Sequence, residues 1–306
     1  MRLFRGFSRP VPGHTAVAIG NFDGVHLGHA ALLKRLVDVA READLPATVL
    51  TFEPHPREFF TPAAAPARLS TLREKLELLA AHGVEQVMVC RFNESFAALS
   101  APRFIDDVLL GGLHARHLIV GDDFRFGKGR GGDFSMLQAA GRNGGFVVAA
   151  MGGVMLDGRR VSSSAVRQAL AEGNMEQAAK LLGRPYVIDG LVRQGDKLGR
   201  QLGFATANIR IKHNPLPMRG VFAVEVNGLE TAALPGVANL GIRPTVGGSK
   251  PILEVHLLDF AGDIYGAHLS VRFVHKLRDE QRFSTLDALK TQIAADALAA
   301  RAFFKH

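Results

Sequence analysis

Gly20-Asn21-Phe22-Asp23-Gly24-Val25-His26-Leu27-Gly28-His29 joins a strand-like run, Thr15 to Ile19, to a helix-like run, Ala30 to Glu42. The β-branched and apolar residues before it read as a buried strand. After it, Leu32, Leu33, Leu36, Val37 and Ala40 recur at helical spacing. A strand that turns directly into a helix is half of a βα unit, and such units build parallel sheets with covered faces. The turn also brings two imidazoles to a helix start, where free N–H groups attract phosphate. Taken singly, each piece has a plainer reading: a histidine capping its own helix, an Asp-Gly turn, a glycine at a close helix–strand contact.

The alternation continues outward from this stretch. Thr48–Phe52 is the next strand, and Thr71-Leu72-Arg73-Glu74 is a capping box that starts a helix ending before Gly83. Gln86–Phe92, Leu118–Val120 and Phe146–Met151 read as further strands, with a helix starting at Ser100-Ala101-Pro102. Ligands of such sheets lie beyond the C-terminal strand ends. The two-histidine turn, Thr51-Phe52-Glu53-Pro54-His55-Pro56 and Gly121-Asp122-Asp123 all fall there and are expected to converge. Two short helices, Ser164–Ala171 and Met175–Leu182, lead to a boundary at Gly183-Arg184-Pro185.

Beyond that boundary the pattern changes. Tyr186–Val192, Gly220–Val226, Ile252–Leu258 and Leu269–Val274 read as strands without intervening helices, and Asn227-Gly228 is a hairpin signal. Ser284 is expected to cap a long helix carrying a Leu286, Leu289, Ile293, Ala297 stripe. Strands followed by one helix predict a small antiparallel barrel with a long terminal helix. The expected domains are residues 1–183 and 184–306.

Bulk composition narrows the function. The 306 residues contain one cysteine, so no intrachain disulfide forms, and Cys90 reads as a buried small hydrophobe in a reducing cytoplasm. No apolar run suits a membrane span, and no apolar signal core follows the basic N-terminus. Lysine and arginine exceed acids by 37 to 29, a formal +8, but the basic residues are scattered. That fits an anionic small molecule such as ATP better than polymeric nucleic acid.

Ser162-Ser163-Ser164-Ala165-Val166-Arg167 adds hydroxyls and a guanidinium at another helix start, a set suited to triphosphate oxygens. Gly121 to Asp133 is rich in glycine and reads as a mobile binding loop. No G-x-x-x-x-G-K-[ST] loop is present, so a Walker-type NTPase is disfavoured. The implied chemistry is adenylyl transfer: a phosphate nucleophile needs no base, and His26, His29 and Arg167 neutralise charge on the α-phosphate and leaving pyrophosphate.

In the second half, Gly195-Asp196-Lys197-Leu198-Gly199-Arg200-Gln201-Leu202-Gly203-Phe204-Ala205-Thr206-Ala207-Asn208 offers glycines for close phosphate approach. Thr206 and Asn208, two apart on a strand, share a face and present neutral oxygens suited to a hydrated Mg²⁺. Glu254, in Leu253-Glu254-Val255-His256-Leu257-Leu258-Asp259-Phe260, supplies a carboxylate base for a hydroxyl attacking a γ-phosphate. Polar residues on a solvent-facing hairpin are the plainer alternative.

These segments, with Gly236–Thr245 and Leu277–Phe283, run from about Gly20 to Phe283 in one order. The chain closely resembles bacterial bifunctional riboflavin kinase/FAD synthetase. The resemblance implies an N-terminal Rossmann-like nucleotidyltransferase domain turning FMN and ATP into FAD and pyrophosphate. It also implies a C-terminal kinase barrel making FMN from riboflavin and ATP. By the same resemblance Gly20, Asn21, Phe22, Asp23, His26, Gly28, His29, Ser162, Ser163, Ser164 and Arg167 meet the adenylylating ATP. Asp123, Phe124, Arg125 and Phe126 meet its flavin. Gly195, Lys197, Gly199, Gly203, Thr206 and Asn208 meet the kinase ATP, with Thr206 and Asn208 linked to Mg²⁺. Glu254 becomes the kinase base, and Arg278 lies in a flap near the flavin. Three positions depart from the family pattern: Ser164 stands where a threonine is common and keeps a hydroxyl, Ala205 stands for its proline before Thr206, and Phe222 for its tyrosine.

Overall fold

The computed structural model describes residues 1–193, 206–211, 215–245 and 248–305. The chain divides into two compact units, one of Met1–Pro66 and Ser70–Ser162, the other of Ala67–Leu69 and Ser163–His306.

The first unit is built on six strands, β1 (Arg2–Arg5), β2 (Thr15–Ile19), β3 (Ala47–Glu53), β4 (Gln86–Arg91), β5 (Ala115–Gly121) and β6 (Val147–Met151). They pair in parallel in the order β1-β4-β3-β2-β5-β6. The helices are α1 (Leu27–Glu42), α2 (Pro56–Phe60), α3 (Leu72–Ala81), α4 (Glu94–Ala97), α5 (Ala101–Arg103) and α6 (Phe134–Gly144). From α5 the chain runs on into a π-helical stretch, Phe104–Gly112. Alternate residues of each strand feed two separate cores. Ala16, Ala18, Val49 and Val87 pack under Leu33, Leu36 and Leu79 of α1 and α3. Val17, Ile19, Leu50 and Leu118 pack on the other face against Val108, Leu109 and Leu137. Each such fully buried Leu contributes ~2 kcal/mol of transfer free energy.

The expected strands are all present, and the Thr71 capping box is formed: the Glu74 amide donates to Thr71 Oγ1 at 3.2 Å and the Thr71 amide to Glu74 at 2.6 Å. Several elements went unseen in the sequence, among them β1, β7 (Met155–Leu156) and β8 (Arg159–Arg160). β1 is a short basic strand whose pairing with β4 depends on the sheet edge, not on its own pattern. β7 and β8 form a two-residue ladder too short to leave a periodic signal.

In the second unit α7 (Ser163–Ala171) and α8 (Met175–Leu182) precede a closed antiparallel barrel. Its strands are β9 (Tyr186–Arg193), β10 (Thr206–Arg210), β11 (Gly220–Asn227), β12 (Leu234–Thr245), β13 (Gly248–Leu257) and β14 (His268–Arg278), in the closed order β10-β13-β12-β11-β14-β9. Phe222 is fully buried and meets Phe273 edge to face at 5.3 Å, so a hydroxyl there would have no water to meet. β11 and β12 do pair as a hairpin, but Val226 faces Leu234, so the Asn227-Gly228 signal opens a longer loop than a two-residue turn.

The terminal helix, Leu286–Phe304, starts one residue later than expected. Thr285, not Ser284, is its N-cap, because the Thr285 hydroxyl accepts the Ala288 amide at 3.2 Å. Its buried stripe shifts accordingly. Ala297 and Ala300 pack against Val221, Ala223, Val237 and Leu258 on the outside of the barrel, whereas Leu286 is 59 % exposed.

Asp296 on this helix is buried and receives both Nε and Nη2 of Arg278, at 2.8 and 2.7 Å, plus Gln292 Nε2 at 2.9 Å. Removing the carboxylate strands a half-buried guanidinium. Asp296→Ala is expected to cost ~3 kcal/mol of barrel stability in urea denaturation, with Asp296→Asn losing less.

Candidate active sites

The first site is built by an unusual turn. After β2, Phe22 and Val25 both hold left-handed backbone, with φ of 48° and 40°. Neither residue favours that region, and Val least of all, so packing must impose it. Both side chains are completely buried in the α1-side core. The turn is tied sideways as well: Ser70 Oγ accepts the Gly24 amide at 3.1 Å, and Asp23 accepts the Ser70 amide at 3.1 Å. The Gly20 amide reaches the Leu50 carbonyl on β3 at 3.1 Å, and Thr51 Oγ1 the Asn21 carbonyl at 3.2 Å.

This frame sets His26 and His29 face to face, ring centroids 3.7 Å apart and planes 18° from parallel. His26 is the N-cap of α1, its Nδ1 accepting the His29 amide at 3.3 Å. A neutral His26 ring therefore carries its proton on Nε2. The plainer capping reading of His26 therefore holds, and one helix-start amide expected to be free is taken by its ring. A side chain on Gly28 would press on the His26 ring, with Cβ 3.1 Å from Cε1 and Nδ1, so glycine preserves the stack.

His29 is different. Burial, then the neighbouring His26, then Lys75 hold its pKa well below the ordinary imidazole value, so the ring is neutral in the free protein. Among the described residues, its Nδ1 and the Oδ1 of Asn21 are buried side-chain atoms with no hydrogen-bond partner. A buried polar atom left unpaired is costly unless something else pairs it. Lys75, buried on α3, is the residue sequence reading missed here; its only trace is that it shares a helix face with Leu79, four residues on.

The other expected pieces of the first half lie as follows. His55 caps α2, accepting the Arg57 amide at 3.1 Å, while Glu58 takes the His55 amide at 3.0 Å. The Gly121–Asp133 segment carries packed structure, not a bare loop. Phe126 bridges to Gly132 and is buried, Phe124 stacks on it at 5.7 Å, and Arg125 pairs with Asp133 at 3.1 Å. Arg160 holds Asp122 at 2.9 Å and Asp123 at 3.5 Å. Ser162 closes the first unit. In the second unit Ser163 and Ser164 begin α7, and Arg167 Nε donates to the Ala67 carbonyl.

An aromatic cluster at the strand ends was not foreseen. Phe92, just past β4, contacts Phe52, Phe59, Phe60 and Phe96 with centroids 5.5 to 5.9 Å away. Phe96 meets Phe104, and Phe104 meets Phe126, so the cluster continues to the Phe124–Phe126 stack. Phe60 is 62 % exposed, so this aromatic wall has an open edge.

The second candidate site lies on the barrel. Ala207 and Ile209 are buried inside it, as are Leu253, Val255 and Leu257. Alternation therefore turns Thr206, Asn208, Glu254 and His256 outward. The register sets Asn208 opposite Glu254, and Asn239 of β12 opposite Glu254 on its other side. Gly195, Lys197, Gly199 and Gly203, with Ala205, fall outside the described residues. Gly241, two beyond Asn239, has no side chain, and the Glu280 carboxyl occupies the space a Cβ would take. Burial raises the Glu280 pKa, partly offset by Arg219. Arg278 is engaged by Asp296, its Nη1 also donating to the Asp279 carbonyl at 2.9 Å.

Burial of Cys90 pushes its thiol up to about 12, leaving it unreactive. Among the described residues no helix is long and apolar enough to cross a membrane, and no cluster of three His, Cys, Asp or Glu could hold a metal.

A family model described as FAD synthetase matches residues 8–165, and one described as riboflavin kinase matches residues 182–304. The bifunctional riboflavin kinase/FMN adenylyltransferase of Escherichia coli (strain K12) is 52 % identical over 307 residues, covering 99 % of this chain and 98 % of that protein. The protein of the same description from Pseudomonas fluorescens is 52 % identical, covering 99 % and 97 %. A solved structure described as a macrolide-efflux protein from Streptococcus pneumoniae aligns with a TM-score of 0.83 and 28 % identity over 98 % of this chain and 99 % of that one.

The depressed His29 pKa has a signed consequence. Above the unfolded value of 6.5 the ring is neutral in both states and contributes nothing to pH dependence. As pH falls below 6.5 the unfolded chain takes a proton that the folded chain refuses, so stability drops until the folded pKa is reached. Thermal melts from pH 7.5 downward are expected to show this loss, and His29→Gln to flatten it.

Proposed function

The chain belongs to the bifunctional riboflavin kinase/FMN adenylyltransferase family, and we propose that it makes FAD from riboflavin in two ATP-dependent steps carried by the residues described above. Phosphorylation of riboflavin comes first and adenylylation of FMN second; the observation that carries the adenylylation step is the stacked His26–His29 pair at the start of α1, with His29 Nδ1 buried and unpaired.

In that step the FMN phosphate attacks the α-phosphorus of ATP, a P–O bond forms, and pyrophosphate leaves with the bonding pair. The nucleophile is already an anion and needs no base. What the protein must supply is positive potential on the α-phosphate and the leaving group. A phosphate oxygen beside His29 reverses the burial effect: it favours the protonated ring, so the imidazole gains charge as the nucleotide arrives. Gly20, Asn21, Phe22, Asp23 and Gly28 shape the same nucleotide site, with Asn21 Oδ1 accepting from a ribose or base donor. Ser162, Ser163, Ser164 and Arg167 serve the phosphates of this ATP. The isoalloxazine of FMN is a flat apolar ring system, and Phe60, Phe92 and the loop residues Asp123, Phe124, Arg125 and Phe126 are its proposed contacts.

In the kinase step, which comes first, a riboflavin hydroxyl attacks the γ-phosphorus, ADP leaves, and the hydroxyl proton passes to Glu254. A loose transition state lets that proton depart late, so an ordinary carboxylate serves. Thr206 and Asn208 present neutral oxygens on the same face as Glu254, which fits a Mg²⁺ that keeps most of its waters and when bound offsets phosphate charge. Gly195, Lys197, Gly199 and Gly203 are assigned to this ATP by the family pattern, and Arg278, its plane fixed by Asp296, to the flavin. The domains are proposed to divide at residues 183/184. A cytoplasmic setting follows from the single unreactive thiol and the soluble substrates.

Purified protein given riboflavin, Mg²⁺ and ATP is expected to accumulate FMN and then FAD by chromatography; absence of both would sink the reading. His29→Ala is expected to slow FAD formation on the order of a hundredfold and spare FMN formation. Glu254→Gln is expected to block FMN formation while FAD still forms from supplied FMN. Equal loss of both steps in either variant would point to one shared site.

A further inference from the structure

The outward face of the barrel carries polar groups that the proposed chemistry does not use, His256 among them. Glu254 and His256 point out together, because Leu253, Val255 and Leu257 are buried inside. Thr206 lies opposite His256 as Asn208 lies opposite Glu254. Facing cross-strand side chains have Cβ atoms about 5 Å apart. The four therefore form a square, with His256 at the Thr206 corner and Glu254 at the Asn208 corner.

His256 has an apolar neighbour on one side and a carboxylate near it. Its neighbour on the other side is Val237 of β12, buried under the terminal helix. The Asp259 carboxylate is close enough for the His256 ring to favour its ionised form, and Arg301 of the terminal helix pins that carboxylate at 2.9 Å. The imidazole thus stands between an apolar wall and the threonine hydroxyl, with an acceptor behind it. Thr206 and Asn208 bring no charge of their own to bound phosphates. An imidazole across the register from Thr206 adds a ring nitrogen to that face, a group able to donate to a phosphate oxygen.

We propose that His256 binds the phosphate chain of the kinase ATP beside Thr206. This rests on the assignment of Thr206 and Asn208 to that ATP. An imidazole hydrogen bond to an ionised phosphate is commonly worth on the order of tenfold or more in affinity.

The test is steady-state FMN formation by His256→Leu, which keeps volume without a donor, and His256→Asn, which keeps a donor. The expected result is a KM for ATP raised on the order of tenfold in His256→Leu, partial recovery in His256→Asn, and unchanged riboflavin affinity by flavin fluorescence. FAD formation from supplied FMN stays at the parent level in both. An unchanged KM for ATP in His256→Leu overturns the proposal. So does a parallel loss of ATP and riboflavin affinity, which would make His256 a packing residue of the barrel. If the unaltered protein makes no FMN, the kinase assignment itself fails, a result separate from either variant outcome.

Discussion

Two imidazoles stacked in a buried pocket cannot both hold a proton cheaply. Each desolvates the other, and each positive charge opposes its neighbour. In this protein Lys75 adds a third positive group, and His29 yields by staying neutral. Everything else about the first unit serves to keep that pair in place. Left-handed Phe22 and Val25 drive their side chains into the core, and the chain rises from them into α1 with His26 as cap. The strain of that turn is offset by complete burial of two apolar side chains. A neutral ring with a buried, unpaired Nδ1 is costly to a resting fold, and in the proposed reaction the arriving anion pairs it.

Sheet topology then decides what stands nearby. β3, β2 and β5 are neighbours, so the segments leaving their C-terminal ends share one edge. Residues far apart in sequence, Phe52, Phe92 and Phe126, become one aromatic surface for the same reason. On the barrel, closure does the equivalent work. Antiparallel register brings Asn208, Glu254 and Asn239 from three strands into a row, with no loop needed to gather them.

Much of this was legible in the chain, and the limits have physical causes. Strand–turn–helix periodicity, the Thr71 capping box and the glycines at the turns are local signals, and they predict the parallel sheet and the barrel. The histidine pair was legible because its four residues sit on one helical turn. Lys75 and the phenylalanine cluster were not, because their partners lie on other elements and only the strand order brings them together. β12 contains Gly236, Gly241 and Pro244, residues poor in strand propensity, so its pairing comes from the barrel and not from its own sequence. The terminal helix began one residue late because Ser284 and Thr285 are both good caps, and only the Ala288 amide chooses between them.

The two chemistries divide according to the nucleophile. Riboflavin offers a neutral hydroxyl, whose proton must go somewhere before the product phosphate is complete, and the Glu254 carboxylate on the barrel face is the acceptor proposed for it. FMN offers a phosphate already stripped of its proton. A carboxylate beside that nucleophile would repel it, whereas a neutral imidazole admits it and then gains charge. Exchanging the two side-chain types between the sites would leave each reaction with the wrong partner. The protein that first makes a phosphate and then uses it as a nucleophile needs an acceptor of protons in one place and a latent cation in the other, and Glu254 and His29 are the groups proposed for these roles.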